Sequence, residues 1–118
     1  MYDQSFKWHQ IAYRKHVNDP RMGFNYVVLL LAQDRKNEAI PVLEDLINKF
    51  PGYSPPYPQL AKIYFENNNH ESLYNLLIKM EDAYNNNKAQ FELRIPKAQI
   101  DELLNLLQQL RSANVVGP

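Results

Sequence analysis

The feature that most constrains this chain is a repeat, because apolar side chains between positions 20 and 87 recur at a constant offset of about 34 residues. The matched pairs, first copy and then second, are Tyr26 and Leu60, Val27 and Ala61, Leu30 and Tyr64, Ala39 and Leu73, Ile40 and Tyr74, Leu43 and Leu77, and Leu46 and Met80. A period of this length is typical of a helix-turn-helix unit. Repeated units of this kind form surfaces that bind other molecules and seldom carry out chemistry themselves.

Local signals predict two helices in the first copy. Pro20 suits a first helical turn and Asp19 can cap exposed backbone N–H groups, so the first helix is expected to run from there to about Gln33. The second helix is expected to begin near Asn37 and to end before Pro51. The first copy is therefore predicted to be a helical hairpin.

The second copy has the same plan. Ser54 and Pro55 are expected to open its first helix as cap and first-turn proline, and the asparagine run 67–69 closes that helix. The helix that follows is expected to run from about Glu71 to Tyr84. The chain therefore contains two predicted hairpins in tandem.

Several of these residues resemble a known repeat family. The residues that carry the resemblance to the tetratricopeptide repeat are Tyr57-x2-Leu60-Ala61-x2-Tyr64 and Ala39-x3-Leu43 followed by Pro51. The match covers two degenerate repeats, residues 20–53 and 54–87, and departs from the family pattern at Val27, where the family prefers glycine. The resemblance implies an all-α fold in which antiparallel helix hairpins stack as a short right-handed solenoid.

Both flanks are predicted to cap the two repeats, because such units need about three copies to bury a continuous core. The N-terminal segment, residues 3–17, has helical periodicity and resembles the second half of a preceding repeat. A C-terminal helix is predicted over residues 97–111, and its apolar stripe consists of Ile100, Leu103, Leu104, Leu107 and Leu110. The whole chain, 1–118, is therefore expected to be a single domain of about six helices.

The segment 88–96 does not fit the repeat. Its polar and apolar residues alternate, which predicts an extended connector, and a helix placed here would contain Pro96. The apolar side chains of the segment are Phe91, Leu93 and Ile95. Three fates are open for it: a loop packed under the last helix, a strand across the concave face of the repeats, or pairing with the same segment of a second copy.

The family resemblance also implies that the first helix of each repeat lines the inner surface. The residues placed there are Phe24, Val28, Leu31, Pro58, Lys62, Phe65 and Glu66, and all of them except Pro58 are predicted to bind a partner. An apolar groove with one lysine and one glutamate suits an amphipathic helix or an extended apolar peptide. The paired Lys and Asn residues with which some family members hold a C-terminal carboxylate have no counterpart in this sequence. The alternative is that a terminal helix of the chain already fills the groove.

Composition and motifs argue against several other functions. Thirteen basic and thirteen acidic residues give a formal net charge of +0, so no basic field favours nucleic acid. Cysteine is absent and the three glycines are isolated, which argues against a thiolate nucleophile, a Cys-based zinc site and a phosphate-binding loop. His9 and His16 lack a third ligand, and His70 is expected to help cap the helix that follows it. We therefore expect no enzymatic activity, no metal and no cofactor.

The leading functional hypothesis is a scaffold or adaptor module that binds a protein partner. No basic stretch followed by an apolar one is visible at the N-terminus, so a cytoplasmic location is the default expectation, and the 45% apolar content does not suggest a membrane span. The chief alternative is a structural or self-associating accessory domain of a larger protein. Such a homodimer would be held through Phe91, Leu93 and Ile95 or through the apolar stripe of the last helix.

Overall fold

Every regular element in the described part of the chain is an α-helix. The structure is a computed structural model and describes Lys7, Ile11 and residues 19–113. Its helices are α1 (Pro20–Ala32), α2 (Lys36–Lys49), α3 (Pro56–Glu66), α4 (His70–Asn86), α5 (Lys88–Arg94) and α6 (Lys97–Ala113). The predicted capping helix over residues 3–17 lies outside the described residues, except for Lys7 and Ile11, which are both helical. The predicted all-α class is confirmed for the described part.

The chain forms two compact units. The first, Met1–Phe50, contains α1 and α2, which pack against each other as a hairpin. The second, Pro51–Pro118, contains the remaining four helices, and α4 packs against each of α3, α5 and α6. α4 is therefore the central helix of the second unit.

The turn of the first hairpin and the turn of the second have the same backbone structure. Asp34 adopts a positive φ of 57°, and the residue 34 positions later, Asn68, adopts 56°. In both turns this residue donates its N–H to the carbonyl oxygen three residues earlier at 3.1 Å, and the next residue donates to the carbonyl oxygen five residues earlier at 2.9 Å. Asp and Asn tolerate this left-handed conformation better than most residues. The period seen in the apolar pattern is therefore also present in the backbone.

The apolar positions that define the repeat form the cores of the two hairpins. Six of the seven matched pairs are buried in both copies, and the seventh, Ile40 and Tyr74, is half-buried in both. Val27 and Ala61, which differ from the glycine that the resembled family prefers, are both almost completely buried. Each hairpin therefore packs with the same set of positions.

Two helix starts can be compared with their predicted caps. Asp19 Oδ1 accepts a hydrogen bond from the N–H of Arg21 at 3.0 Å, so the predicted cap of α1 is confirmed. The predicted cap of α4 is wrong, because Asn69 precedes the helix and its Oδ1 accepts from the N–H of Ser72 at 3.4 Å. His70 is instead the first residue of the helix. Asn is among the residues that helix N-caps favour, so the run of asparagines supplies the cap.

The predicted cap of the third helix is also wrong. α3 begins at Pro56, follows Pro55, and receives no side-chain capping bond. The fully buried Ser54 instead donates a hydrogen bond from Oγ to the carbonyl oxygen of Phe91 at 2.9 Å. A serine that resembled a local cap is therefore used for a contact 37 residues away in sequence.

The predicted extended connector is wrong as well, because residues 88–94 form α5. Pro96 ends this helix, since the residue before a proline is driven towards extended backbone, and Ile95 has φ −134° and ψ 146°. Phe91 within the helix and Ile95, which follows its last residue, are both buried. Leu93 is 79% exposed. The alternation at these three positions is thus satisfied by a short helix and the residue that follows it.

The predicted C-terminal helix is confirmed as α6, which is two residues longer than expected. In its apolar stripe Ile100, Leu107 and Leu110 are buried, and Leu103 and Leu104 are half-buried. α6 packs against α4 through this broad stripe. A helix with a wide apolar arc can contact more than one neighbour.

Candidate binding groove

An open groove of about 500 Å³ lies in the second unit between α3 and α6. Its lining residues are Pro58, Gln59, Ala61, Lys62 and Phe65 on the α3 side, and Gln99, Glu102, Leu103 and Leu106 on the α6 side. Spacings of three and four residues place these side chains on one face of each helix. The C-terminal helix therefore borders the groove and leaves it open to solvent.

The two walls of the groove run in the same direction. α3 and α4 are antiparallel, because the short turn 67–69 joins them and they pack along their lengths. α6 is antiparallel to α4 too, since Asp101 near its start interacts electrostatically with Tyr84, and Arg111 near its end interacts with Tyr74. Two helices that are both antiparallel to α4 are parallel to each other.

Each wall of the groove carries an amide, a charge and apolar side chains. The amides are Gln59 and Gln99, and the charges are Lys62 and Glu102. The apolar side chains include Phe65 on α3 and Leu106 on α6. Both walls therefore combine polar, charged and apolar chemistry.

The two walls of the groove carry charges of opposite sign. Lys62 projects from α3 and Glu102 from α6, and both side chains are exposed. Neither forms an ion pair with any residue that the structure describes. The aromatic ring of the α3 wall is accessible too, because Phe65 is 56% exposed. A ligand in the groove can therefore reach both a cation and an anion beside an aromatic ring.

The start of α3 is fixed by α5, through an aromatic cluster centred on Phe91. The Phe91 ring lies 5.3 Å from the ring of Tyr57 and 5.8 Å from that of Tyr84, measured between centroids. Tyr57 Oη donates a hydrogen bond to the carbonyl oxygen of Pro51 at 2.7 Å, and Ser54 bonds to the Phe91 carbonyl as described above. Aromatic pairs with this spacing contribute beyond their buried area. The wall that α3 provides is therefore held at its N-terminal end by packing and by two hydrogen bonds.

Polar contacts add to this attachment. Tyr84 Oη donates a hydrogen bond to the Glu92 carboxylate at 3.0 Å, and this bond, together with burial, raises the pKa of Tyr84. The Arg94 guanidinium lies 5.3 Å from the centroid of the Tyr53 ring, a cation–π geometry. Burial raises the pKa of Tyr57 as well, and its phenol remains protonated well above neutral pH. α5 is thus joined to α4 and to the segment before α3.

Gly52 permits this close approach of α5. A Cβ atom added at Gly52 would lie 3.1 Å from Oε1 of Gln90 and 3.4 Å from Cγ of Asn87. The first distance is tighter than ordinary van der Waals contact, and the second is at the lower limit of that contact. The absence of a side chain at position 52 therefore leaves room for the start of the short helix.

The predicted binding residues are divided between the two units. Lys62 and Phe65 line the groove, as does Pro58. Phe24, Val28 and Leu31 lie on α1 in the first unit, where Val28 is 51% exposed and the other two are half-buried. Their spacing places them on one face of α1, as predicted. The groove lining comes entirely from the second unit.

The last predicted binding residue and the predicted self-association residues lie elsewhere in the second unit. Glu66 is the exposed final residue of α3 and does not line the groove. Phe91 and Ile95 are buried in the core, and only Leu93 of that trio is exposed. The surface that a second copy could reach on α5 is therefore limited to Leu93 among these three.

Sequence reasoning missed most of the α6 wall. Gln99, Glu102 and Leu106 have no role in the predicted binding site, and Leu103 belongs to the predicted apolar stripe of the C-terminal helix. The signal that could have revealed this wall is the width of the apolar arc. Leu103 and Leu106 extend it beyond the stripe that contacts α4, as expected for a helix with a second apolar contact.

Two other kinds of feature, a metal site and a membrane-spanning helix, are not found among the described residues. Among the described residues no group of three His, Cys, Asp or Glu side chains could hold a metal ion, and His9 and His16 lie outside those residues. None of the described helices is long and apolar enough to cross a lipid bilayer. Comparisons with protein-family models, curated proteins and solved structures find no match for this chain. The groove between α3 and α6 is therefore the feature of the described residues on which a functional hypothesis can be based.

Proposed function

We propose that this chain is a non-catalytic binding module, in which a helix of the second tetratricopeptide-like hairpin and the C-terminal helix form a groove for a peptide or helix of a partner protein. The observation that carries the proposal is the open concavity between α3 and α6, with Phe65 more than half exposed in its wall. Concave sites with apolar walls and a few polar groups are the usual sites of ligand binding. Aromatic side chains are also enriched among the residues that dominate binding energy.

The rigidity of the groove supports the same proposal. Both walls are regular helices, and α3 is held by the Phe91 cluster and by the hydrogen bond from Ser54. A site built on packed helices loses little conformational entropy when a ligand binds. The module therefore has a preformed surface and needs no large rearrangement to bind.

The experiment that tests this proposal is affinity capture from a lysate of the source cells with three baits. The baits are the unchanged chain, the double variant Lys62→Glu with Phe65→Ala, and the control variant Leu93→Asp, which changes an exposed residue outside the groove. Circular dichroism must first show that all three have the same helical content. We expect a partner that the unchanged chain and Leu93→Asp capture and that the groove variant loses.

Equal capture by the groove variant would place the working surface elsewhere and would refute the proposal. The alternative, a self-associating accessory domain, has its own readout in light scattering of the same three proteins. A dimer that persists on dilution and dissociates in Leu93→Asp would favour this alternative. A chain that stays monomeric while Leu93→Asp captures the same partner would exclude it.

A further inference from the structure

We propose that the groove binds an amphipathic α-helix of a partner protein, which packs as the fourth helix of a bundle whose other members are α3, α4 and α6. Its apolar stripe would face the groove, with acidic side chains on the flank beside α3 and basic side chains on the flank beside α6. This inference rests on the proposed function, because it specifies the ligand of the same groove. Three observations carry it: the packing of α3 and α6, the faces that line the groove, and the positions of the wall charges.

The packing of the second unit leaves one position of a four-helix bundle open. α4 packs against both α3 and α6, whereas α3 and α6 do not pack against each other to a comparable extent. The two walls are parallel, and each is antiparallel to α4. In a four-helix bundle each helix contacts two neighbours and lies diagonally across from the third. The position diagonally across from α4 is therefore the open one.

The faces that line the groove are those that would contact a helix at this position. On α3, Pro58 and Phe65 each follow a buried residue by one position, and on α6 Gln99 and Leu106 each precede a buried residue by one position. One residue is a rotation of about 100°, so each groove face lies roughly a quarter turn from its buried face. The two rotations have opposite senses, as they must on parallel helices that border the same space. A helix in a square bundle contacts its two neighbours through faces related in this way.

The charges lie at the outer edges of the groove, above an apolar floor. Ala61 is buried and Leu103 is half-buried, whereas Lys62 and Glu102 are exposed. By helical geometry, each of the two charges lies roughly 150° around its helix from the buried face. A helix seated on the floor would therefore meet Lys62 on one flank and Glu102 on the other, as charged side chains flank the apolar seam of a coiled coil. An acidic flank and a basic flank are the complement of these two edges.

The walls also favour a helix over an extended strand. Both walls are α-helices, whose interior backbone N–H and C=O groups are already bonded within each helix. A strand in the groove would have unused backbone groups, and the lining offers only the amides of Gln59 and Gln99 as neutral polar side chains. A helical ligand satisfies its backbone internally and presents only side chains. Side chains three and four positions apart on the ligand would then pack between those of the walls.

The test is selection of random peptides of about 18 residues, five helical turns, displayed on phage with the immobilised full chain as bait. Enriched peptides should have apolar residues at a period of three to four, with acidic residues on one flank of that stripe and basic residues on the other. Such short helices are marginal in water, so synthetic copies should gain helical circular dichroism when they are mixed with the chain. Phe65→Ala should weaken their binding, and the control Leu93→Asp should leave it unchanged.

A charge exchange tests the two flanks separately from the apolar stripe. The variant Lys62→Glu with Glu102→Lys exchanges the edges of the groove and keeps the net charge constant. It should bind the selected peptides about tenfold more weakly than the unchanged chain does. Peptides resynthesised with their acidic and basic flanks exchanged should recover the affinity for this variant. Exposed charges alone, without complementary flanks, would give no such recovery.

The outcomes separate this inference from the proposed function. Peptides that depend on Phe65 but gain no helical signal on binding would overturn the inference and leave the binding function standing. Helical peptides that bind the unchanged and the charge-exchanged chain equally would also overturn it, because the flanks would then not be recognised. Peptides whose binding ignores both Phe65→Ala and the charge exchange, or a selection with no enrichment, would refute inference and function together.

Discussion

The structures of the two hairpins repeat closely, but among the described residues the two hairpins differ in which helices pack against them. Both have the same left-handed turn residue, the same turn hydrogen bonds and the same buried positions. In the second unit, however, α4 also packs against α5 and α6, and α3 forms one wall of a groove. The first hairpin has Asp19 as a local cap, whereas at the start of α3 Ser54 bonds to Phe91.

This difference separates the residues that form the helical hairpins from the residues that form the candidate groove. The positions shared by both copies are those that a helical hairpin needs for its core and turn. The residues that set the groove are not repeated: Phe91 belongs to α5, and Glu102 belongs to α6. The repeat therefore accounts for the hairpins, and the helices that follow it convert one hairpin into a candidate binding surface.

The largest effect is expected from truncating Phe91, which has no counterpart in the first hairpin. Phe91→Ala removes a completely buried ring that contacts Tyr57 and Tyr84, and should lower the free energy of unfolding by about 3–5 kcal/mol. The matched control is Leu93→Ala on the same helix, which should change it by less than about 0.5 kcal/mol because Leu93 is exposed. Urea unfolding followed by circular dichroism measures both. Equal effects of the two variants would contradict the role given to α5.

The next effect tests whether the two turns are equivalent. A β-branched residue at positive φ is strained, so Asp34→Val and Asn68→Val should each lower the free energy of unfolding by about 1–2 kcal/mol. Asp34→Gly and Asn68→Gly are the controls and should be close to neutral, since glycine adopts this conformation readily. Chemical denaturation of the four variants gives the comparison. If valine lowers the free energy of unfolding in one turn but not in the other, the two turns are not equivalent.

A smaller effect distinguishes the two helix starts. Asp19→Ala removes a local cap and Ser54→Ala removes the bond to the Phe91 carbonyl, and each should cost about 1 kcal/mol. Amide hydrogen exchange separates the two mechanisms. Ser54→Ala should speed exchange in residues 88–94, far along the chain, whereas Asp19→Ala should act on the first turn of α1. If exchange in residues 88–94 is unchanged by Ser54→Ala, the long-range bond does not hold α5.

The smallest effect is a pH dependence that belongs to the second unit. The hydrogen bond to Glu92 and burial raise the pKa of Tyr84, so the folded chain keeps this proton to higher pH than the unfolded chain, whose tyrosines ionise near pH 10. This contribution to stability is fully present below about pH 10 and is lost as pH rises through the folded-state pKa. Urea unfolding at pH 8, 10 and 11 should therefore show a smaller alkaline loss for Tyr84→Phe than for the unchanged chain. If both proteins lose the same stability at alkaline pH, the Tyr84–Glu92 hydrogen bond does not contribute to this pH dependence.

The sequence was sufficient for the elements that depend on local or periodic signals. The bounds of α1, α2 and α6 follow from proline positions and apolar periodicity, and six of the seven matched pairs are buried in both copies. α5 was missed because three apolar residues in alternation suit both a strand and a short helix, and Pro96 was read as forbidding a helix that it only ends. Seven residues are too few for a helical period to stand out.

Only part of the candidate groove could be predicted from the sequence, and the reason differs from the one that applies to α5. Lys62 and Phe65 were placed on the inner face from the family resemblance, and both line the groove. Glu102 and Leu106 were missed because their role depends on which helix packs parallel to α3, and no local pattern specifies that pairing. Ser54 was misread for the same reason, since its partner is 37 residues away. Long-range contacts of this kind arise only when the helices pack together, so no local sequence pattern predicts them.

The most direct test of the central claim, that the groove between α3 and α6 binds the partner, is to map the footprint of a bound peptide on the chain. The chain is labelled with ¹⁵N, and a peptide of the captured partner is added while amide chemical shifts are recorded. We predict that the largest shift changes fall in residues 58–65 and 99–106, and that they disappear with Lys62→Glu and Phe65→Ala. Changes centred on α1 or on Leu93, with the groove residues unaffected, would contradict the account.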